Sequence, residues 1–158
     1  MIEIRDAKVS DAQAISEIYR ACYGDDYAYP QYYNVTSLTQ MIYAEDNMIL
    51  VAEDTQTNER LGTASVVYDV GANSDLTGEF GRLAVLPEAR NRGVGKKLME
   101  ERLNRVKTRL HLGLINARVV HPYTLKISEQ QGFAVVGFTP MKTLIGYRES
   151  IARMVQYF

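Results

Sequence analysis

One short segment concentrates the residue types that bind phosphate groups. A β-like stretch ending at Pro87 leads to two arginines, Arg90 and Arg92, and then to two glycines and a lysine at the start of a long helical pattern. The first N–H groups of a helix lack intrahelical partners, and the helix dipole adds partial positive charge there. Glycines let the main chain approach an anion closely, and arginine and lysine add full charges. The predicted anion site comprises Arg90, Asn91, Arg92, Gly93, Val94, Gly95 and Lys96.

The spacing in this segment does not fit the two common nucleotide motifs. A P-loop would need glycine at position 90 and serine or threonine at position 97, where this chain has Arg90 and Lys97. A dinucleotide fingerprint would need glycine at position 98, which is Leu98. On these residues alone, the segment fits either another phosphate ligand or a strand-to-helix turn with solvated arginines.

The segment lies within a predicted series of strands and helices. Apolar spacing and turn signals give the order strand, two helices, three strands, helix, strand, helix and final strands. A Ser-x-x-Gln pattern at Ser10 and Gln13 predicts a capping box for the first helix. This order indicates a mixed α/β domain with a largely antiparallel sheet. The helices are predicted over 10–22, 37–44, 93–110 and 122–131, and the strands over 1–4, 48–53, 61–69, 79–85, 114–120, 133–138, 143–147 and 152–158.

Composition limits the classes of protein to consider. The 158-residue chain is 46% apolar and 23% charged, with a net charge of -1, so it lacks the basic excess of a nucleic-acid binder. No apolar run approaches the roughly 20 residues that cross a bilayer, and no signal peptide is expected. Cys22 is the only cysteine, so an intrachain disulfide is excluded and a cytoplasmic setting is expected. Two histidines and no spaced acidic cluster predict no metal site.

The loop pattern resembles that of one known family. Arg-x-x-Gly-x-Gly, following a strand that ends in Leu-Ala-Val-x-Pro, resembles the acyl-CoA signature of the GNAT acyltransferases. Similarity covers essentially the whole chain, including Ile4–Ala7, Leu50–Glu53, Leu61–Ala64 and Gln131–Phe133. The resemblance implies one domain over residues 1–158, with a single mixed, largely antiparallel sheet flanked by helices on both faces. It also implies transfer of an acetyl or other acyl group from acetyl-CoA to an amine of a small molecule or protein.

The resemblance further implies how the cofactor is held. In the family, the loop amides hold the CoA pyrophosphate, and the preceding strand offers main-chain groups to pantetheine. That assigns cofactor contacts to Leu83, Ala84 and Val85 as well as to the loop. His121 stands where many relatives have an asparagine that touches pantetheine. It could serve equally as a CoA contact, as the N-cap of the last helix, or as a base.

Two further side chains are candidates for proton transfer. Holding a lysine-like amine neutral at pH 7 costs about 4.6 kcal/mol, so a general base is expected. Glu79 stands where the family often has a glutamate; the alternative is a strand-edge carboxylate without a role. The family's general acid is commonly a tyrosine four residues before the final Gly-Phe, where this chain has Ser128, a weaker donor. Tyr123 lies earlier on the same predicted helix, about 140° away.

A tyrosine-rich stretch lies between the first two predicted helices. Five of the eleven tyrosines fall within residues 23–33, together with two aspartates. Tyrosine faces and carboxylates bind alkylammonium groups, and in the resembled family this connection commonly walls the acceptor site. We therefore expect Asp25, Asp26, Tyr27 and Tyr29 to bind a cationic acceptor. A packed or partner-facing loop is the alternative.

Two other classes of function stay open. Ser128 in place of tyrosine fits a CoA-binding regulatory or sensor domain that has lost turnover. The tyrosine-rich stretch and the β-like segment 152–158 fit an interaction module. That C-terminal segment could pair with the sheet edge of a second copy to form a homodimer.

Overall fold

A computed structural model describes residues 1–68, 72 and 76–158 of the chain. Within these residues the chain forms seven strands and four α-helices, joined by turns and short 3-10 segments. The strands are β1 (Ile2–Asp6), β2 (Asn47–Asp54), β3 (Glu59–Val67), β4 (Thr77–Val85), β5 (Leu112–Arg118), β6 (Ala134–Ile145) and β7 (Tyr147–Tyr157). The helices are α1 (Ala12–Tyr23), α2 (Val35–Tyr43), α3 (Val94–Val106) and α4 (Tyr123–Gln130).

The described strands form one sheet in the order β1-β2-β3-β4-β5-β7-β6. Neighbouring strands are antiparallel except for β4 and β5, which are parallel. The predicted mixed, largely antiparallel sheet is therefore confirmed. Residues 152–155 of the segment that could pair with a second copy lie in β7 and are already paired on both sides within this sheet, so they offer no free edge.

Helices cover both faces of the sheet, as predicted. Successive strand residues point to opposite faces, and β2 shows the consequence. Leu50 and Ala52 pack in a cluster with Leu98 of α3, whereas Ile49 and Val51 pack with residues of α1 and α2. None of the described helices is both long enough and apolar enough to cross a lipid bilayer.

Several element boundaries differ from the predicted ones. Helix α3 ends at Val106, although Leu110 is still buried in the turn that follows, so apolar spacing overran the helix. The final strands are two long ones joined at Gly146, whose φ of 69° suits the tight connection. The predicted strand over 61–69 corresponds to β3, and its last residue lies outside the described residues.

The predicted capping box at Ser10 is wrong. Helix α1 begins at Ala12, and a 3-10 turn precedes it. In that turn the Lys8 amide donates to the Asp11 carboxylate over 2.8 Å, and the Asp11 amide donates to the Lys8 carbonyl over 2.8 Å. Asp11 is wholly buried, and its carboxylate accepts hydrogen bonds from Arg5 and Arg60. This buried ion cluster therefore sets the start of α1.

Candidate functional site

The predicted anion loop lies between β4 and α3, and its backbone is built to approach a ligand. Asn91 and Gly93 have positive φ angles of 63° and 76°, and Gly93 is the N-cap of α3. The first intrahelical bond runs from the Lys97 amide to the Gly93 carbonyl, which leaves the amides before it without helical partners. Apart from its chain neighbours, no atom of the described residues lies within 4 Å of a Cβ added at Gly93, so the space beside this turn is open. Buried Val94 anchors the loop to the core.

The loop carries three exposed cations with few carboxylate partners. Arg92 donates to Asp54 over 2.9 Å, yet the Arg92 side chain is 45% exposed. That hydrogen bond is the main reason why the pKa of Asp54 is lowered to about 2. Lys96 lies 3.8 Å from Glu100, and Arg90 is exposed at the start of the loop. The loop therefore presents excess positive charge around open space, as a pyrophosphate site requires.

Helix α4 contacts this loop through Tyr123. The Tyr123 hydroxyl donates to the Asn91 side-chain carbonyl, and the tyrosine ring is largely exposed. Tyr123 thus supports the left-handed turn at Asn91 from the side of α4. From the sequence, Tyr123 could be weighed as a substitute proton donor or as a core or surface residue, but not as a loop contact, because the contact joins residues 32 positions apart.

A cleft opens beside the loop where β4 and β5 separate. The two strands pair only over Thr77–Glu79 against Leu112–Leu114. Farther along, β4 pairs with β3 and β5 pairs with β7, so their facing edges diverge. A register shift against β3 and a φ of 55° at Arg82 mark a bulge in β4 at this point. The predicted pantetheine contacts, Leu83, Ala84 and Val85, follow the bulge along the open stretch of β4.

The described residues that line the cleft come from seven elements and from the connection after α1. Four of them are charged: Glu79, Arg82, Arg102 and Arg118. Polar and aromatic side chains complete much of the wall. The other lining residues are Tyr23, Tyr27, Ala28, Tyr29, Phe80, Gly81, Leu83, Ile115, Asn116, Thr124, Thr143, Ile145 and Ile151.

Glu79, the predicted base, lies on β4 next to the point of separation. Its Oε1 accepts a hydrogen bond from Arg82 Nη1 over 2.7 Å and lies 3.5 Å from Asn116 Nδ2. The carboxylate side chain is 18% exposed, so it borders the cleft while partly shielded from solvent. The Arg82 guanidinium stacks on the Tyr29 ring, 4.0 Å from its centroid. Glu79 and Arg82 therefore present a fixed pair of opposite charges to the cleft.

Two further arginines reach the cleft from α3 and β5. Arg118 makes two 2.6 Å hydrogen bonds to buried Glu149, which raises the pKa of Arg118. Arg102 is 1% exposed and donates to the main-chain carbonyls of Ser65 and Gly81, over 3.0 and 3.2 Å. Burial lowers the pKa of Arg102 to about 10, and no carboxylate is among its described partners. Within the described part of the chain, neither Arg102 Nε nor Arg82 Nε has a hydrogen-bond partner.

Sequence reasoning missed these arginines, although one carried a signal. Arg102 follows Met99 by three positions and therefore falls on the helix face expected to be apolar. A charged residue on such a face indicates that its charged group is buried and makes polar contacts there. Arg82 and Arg118 carried no comparable local signal, because each reaches the cleft only through the separation of β4 from β5.

Tyrosines form the wall of the cleft beyond α1. The Tyr27 ring stacks on Tyr23 and Tyr19 at centroid distances of 4.5 and 4.8 Å, and it meets Tyr29 edge-on at 5.6 Å. Tyr27 and Tyr29 line the cleft, as expected for acceptor residues.

The two aspartates predicted beside these tyrosines lie outside the cleft lining. Asp25 is 90% exposed and pairs with Arg20 over 2.8 Å. Asp26 is exposed, and its carboxylate approaches Gly146 of the β6–β7 connection. The structure therefore does not bring Asp25 and Asp26 together with Tyr27 and Tyr29 around one cavity.

The remaining predicted residues, Ser128 and His121, lie on or before α4. Ser128 is wholly buried, and its hydroxyl donates to the Thr124 carbonyl over 2.6 Å. Thr124 lines the cleft, whereas Ser128 does not. His121 is exposed in the turn before α4, and Pro122 is the N-cap, so the capping role weighed for His121 is wrong. Among the described residues, no cluster of three or more histidine, cysteine or acidic side chains is placed to hold a metal.

This placement predicts a small effect of removing the Ser128 hydroxyl. Because that hydroxyl is already engaged within α4, we expect Ser128→Ala to leave kcat within about threefold of the parent, as for a side chain without proton transfer. Thr124→Val, which alters a cleft-lining hydroxyl on the same helix, is the matched comparison. A loss of 100-fold or more in Ser128→Ala alone would restore the general-acid role. Steady-state assays of thiol release measure both variants.

Comparisons with known proteins agree with the fold and the loop. Residues 45–139 match a family model described as an acetyltransferase (GNAT) domain. The solved yncA protein from Salmonella typhimurium, determined with its cofactor acetyl-CoA, superimposes with a TM-score of 0.85 at 18% identity, covering 99% of this chain and 94% of that one. A search of curated protein sequences finds no match.

Other similar structures differ in the acceptors that their names give. Ribosomal-protein-alanine N-acetyltransferase from Brucella melitensis superimposes with a TM-score of 0.82 at 19% identity, covering 99% of both chains. Mutant forms of a spermidine/spermine N-acetyltransferase from Vibrio cholerae give 0.79 at 19% identity, covering 99% of this chain and 95% of that one. Similar folds therefore serve different acceptors, and the acceptor has to be argued from the cleft itself.

Proposed function

Because the chain belongs to the GNAT acetyltransferase family, we propose that it is an N-acetyltransferase whose β4–β5 cleft brings acetyl-CoA and an amine together. The observation that carries this proposal is the continuity of loop and cleft. Strand β4 carries Glu79 at one end of its open stretch and leads at the other end directly into the loop at the start of α3. We further propose that residues 1–158 form one domain. A cytoplasmic setting accords with the single free thiol, Cys22.

The residues at the loop fit the cofactor. Arg90, Arg92 and Lys96, together with the free amides at the start of α3, would hold the pyrophosphate in the open space beside Gly93. Leu83, Ala84 and Val85 would offer main-chain groups to pantetheine. Asn91, Gly95 and the exposed His121 would complete the contacts.

Bound acetyl-CoA would supply a thioester: the acetyl carbon would bond to the amine nitrogen as its bond to sulfur broke and the CoA thiolate left. Glu79 would accept the proton that the amine loses, directly or through one water molecule. Asn116 and Arg82 hold the Glu79 carboxylate at the edge of the cleft. Tyr27 and Tyr29 would wall the acceptor. A thiol has a pKa of only about 8.5, so the leaving thiolate does not require a strong acid.

Cofactor binding tests the loop. Gly93→Asn keeps a residue that tolerates a positive φ but adds a side chain where the anion would approach. We expect the Kd of acetyl-CoA to rise at least about tenfold, since charge-assisted hydrogen bonds of roughly 1.5–3 kcal/mol are lost. Isothermal titration calorimetry on CoA-free protein measures this change. Gly137→Asn, at an open position on β6, is the matched control, and unchanged affinity in Gly93→Asn would contradict the loop assignment.

Turnover tests the reaction itself. Release of free CoA is followed with a panel of amines, including amino acids, polyamines and peptides, at saturating acetyl-CoA. Acetylated product identified by mass spectrometry supports the transferase. Tight cofactor binding without transfer to any amine would favour a regulatory CoA-binding domain instead.

We also propose a homodimer formed through β6, which is an edge strand of the sheet. Exposed edges pair readily with other strands, and this one is rich in exposed apolar side chains. We expect Phe138→Lys to yield monomers in sedimentation-velocity experiments, because two copies would place like charges together. Tyr43→Lys, at an exposed aromatic on α2, is the control, and a monomeric parent would contradict the proposal. The exposed apolar residues of β6 are Val135, Val136, Phe138, Met141 and Leu144.

A further inference from the structure

We propose that the acceptor amine belongs to an α-amino acid, and that arginines of the cleft bind its carboxylate. This inference rests on the proposed acetyl transfer and names the acceptor class of the same cleft. It replaces the cationic acceptor expected from Asp25 and Asp26, neither of which lines the cleft.

The charge of the cleft favours an acceptor with a carboxylate. Three of the four charged residues in its described lining are arginines, and Glu79 is the one carboxylate among them. Buried Glu149 compensates Arg118, and Glu79 compensates Arg82. Arg102 has no carboxylate partner among the described residues, so its positive charge remains uncompensated there. A polycation would add to this excess, whereas the zwitterion of an α-amino acid adds no net charge and offers a carboxylate to the arginines.

The hydrogen bonding of the arginines points in the same direction. A buried charge without a counter-ion is costly, and buried donors are almost always paired. Arg102 is 1% exposed, yet its Nε finds no partner in the ranges that the structure describes, and its Nη1 donates to two main-chain carbonyls. One of these carbonyls belongs to Gly81, the residue before Arg82, whose Nε is also unpartnered. Arg82 and Arg102 both line the cleft, and guanidinium groups with hydrogen-bonding capacity left among the described residues are suited to a carboxylate.

The ion pair of Glu79 and Arg82 matches the zwitterion of an α-amino acid. Its opposite charges lie 2.7 Å apart, and the ammonium and carboxylate of such a molecule are attached to one carbon. A carboxylate on Arg82 would bring the ammonium toward Glu79, the residue proposed to take its proton. The faces of Tyr27 and Tyr29 would then border the amino-acid side chain. One binding mode would thus orient the amino acid and also place its ammonium group beside Glu79, which removes the proton.

A comparison of acids with their amides tests the proposal. Methionine, phenylalanine, leucine and glutamine are each offered as the free amino acid and as its primary amide, with spermidine as the cationic reference. We expect kcat/KM for the best acid to exceed that of its amide at least about tenfold, through loss of a charge-assisted contact. The carboxylate keeps the neighbouring amine more basic, so chemical reactivity alone would favour the amide.

Variants locate the effect. In Arg82→Gln the acid-to-amide ratio should fall toward one, and this ratio is insensitive to a general loss of active protein. Arg102→Lys keeps the charge but removes Nε, and the ratio should drop severalfold. Arg105→Gln is the control variant. Arg105 lies one turn beyond Arg102 on α3 and pairs with Glu101 and Asp6, so this variant should keep the acid-to-amide ratio of the parent.

The outcomes separate this proposal from the proposed function. Acetylation of amides or spermidine at least as well as acids would overturn the amino-acid acceptor while leaving acetyl transfer intact. A parent-like ratio in both Arg82→Gln and Arg102→Lys would overturn the role of the arginines. Acetyl-CoA binding without transfer to any acceptor would refute the transferase itself, and the acceptor class with it.

Discussion

Glu79→Gln is expected to lower kcat/KM for the acceptor amine by about 100- to 1,000-fold at pH 7, the usual contribution of a positioned general base. Glutamine retains the size of the side chain and an oxygen that can accept from Arg82, so the local fold should persist. The Kd of acetyl-CoA, measured by calorimetry, should stay within about threefold of the parent. Thiol-release assays under kcat/KM conditions measure the loss.

The pH profile of this variant distinguishes a base from a structural residue. As the pH rises toward the pKa of the amine, more of the amine is neutral without help, and the deficit of Glu79→Gln should shrink. Glu101→Gln is the matched control, because Glu101 also accepts from an arginine over 2.7 Å but lies on α3 outside the cleft. A deficit below threefold at pH 7, or one that does not change with pH, would contradict the base assignment.

The anion loop could be predicted from the sequence because its determinants are contiguous. Two arginines, two glycines and a lysine fall within seven positions, at the start of a helix that apolar spacing already indicated. The structure places Gly93 at a positive φ at that helix start. The mixed sheet could also be predicted, since each strand carries its own β-branched or apolar run. The ends of the helices were predicted less accurately, because Leu110 continues the apolar spacing beyond the last turn of α3.

The chemistry of the acceptor cleft could not be predicted, because it is assembled from distant positions. Arg82, Arg102 and Arg118 come from two strands and a helix, and they share a cleft only because β4 and β5 separate. Asp25 looked like a site residue from its neighbours in the sequence. Its carboxylate instead pairs with Arg20, which lies 5 positions earlier in the chain. Adjacency along the chain thus indicated a cationic ligand where the folded cleft carries excess positive charge.

Asp11→Asn is expected to lower the free energy of unfolding by about 3 kcal/mol, because it removes the shared partner of two largely buried arginines. The Asp11 carboxylate accepts two hydrogen bonds from Arg5, at 2.7 and 3.0 Å, and one from Arg60 at 2.8 Å. It also accepts from the Lys8 amide, which sets the turn before α1. Urea unfolding followed by circular dichroism at pH 6 measures the loss.

The stability lost in Asp11→Asn should depend on pH, in a direction fixed by the pKa of Asp11. Burial alone would raise that pKa, but hydrogen bonds from Arg5, Lys8 and Arg60 outweigh it and lower the pKa from 3.8 to about 2. A depressed carboxyl pKa stabilises the fold above the unfolded value and ceases to do so as the pH falls through the folded value. The shift corresponds to about 2 kcal/mol, of which about half remains at pH 3. The gap between parent and Asp11→Asn should therefore narrow between pH 4 and pH 2.

An exposed ion pair between the last residue of β1 and helix α3 supplies the comparison. Asp6 is 68% exposed and pairs with Arg105 over 2.6 Å, so solvent screens the pair and Asp6→Asn should change stability by less than about 1 kcal/mol. If Asp11→Asn destabilised the protein no more than Asp6→Asn, the buried cluster would not be what fixes the start of α1. A gap that stayed constant from pH 6 to pH 3 would contradict the ionised, arginine-bound state of Asp11.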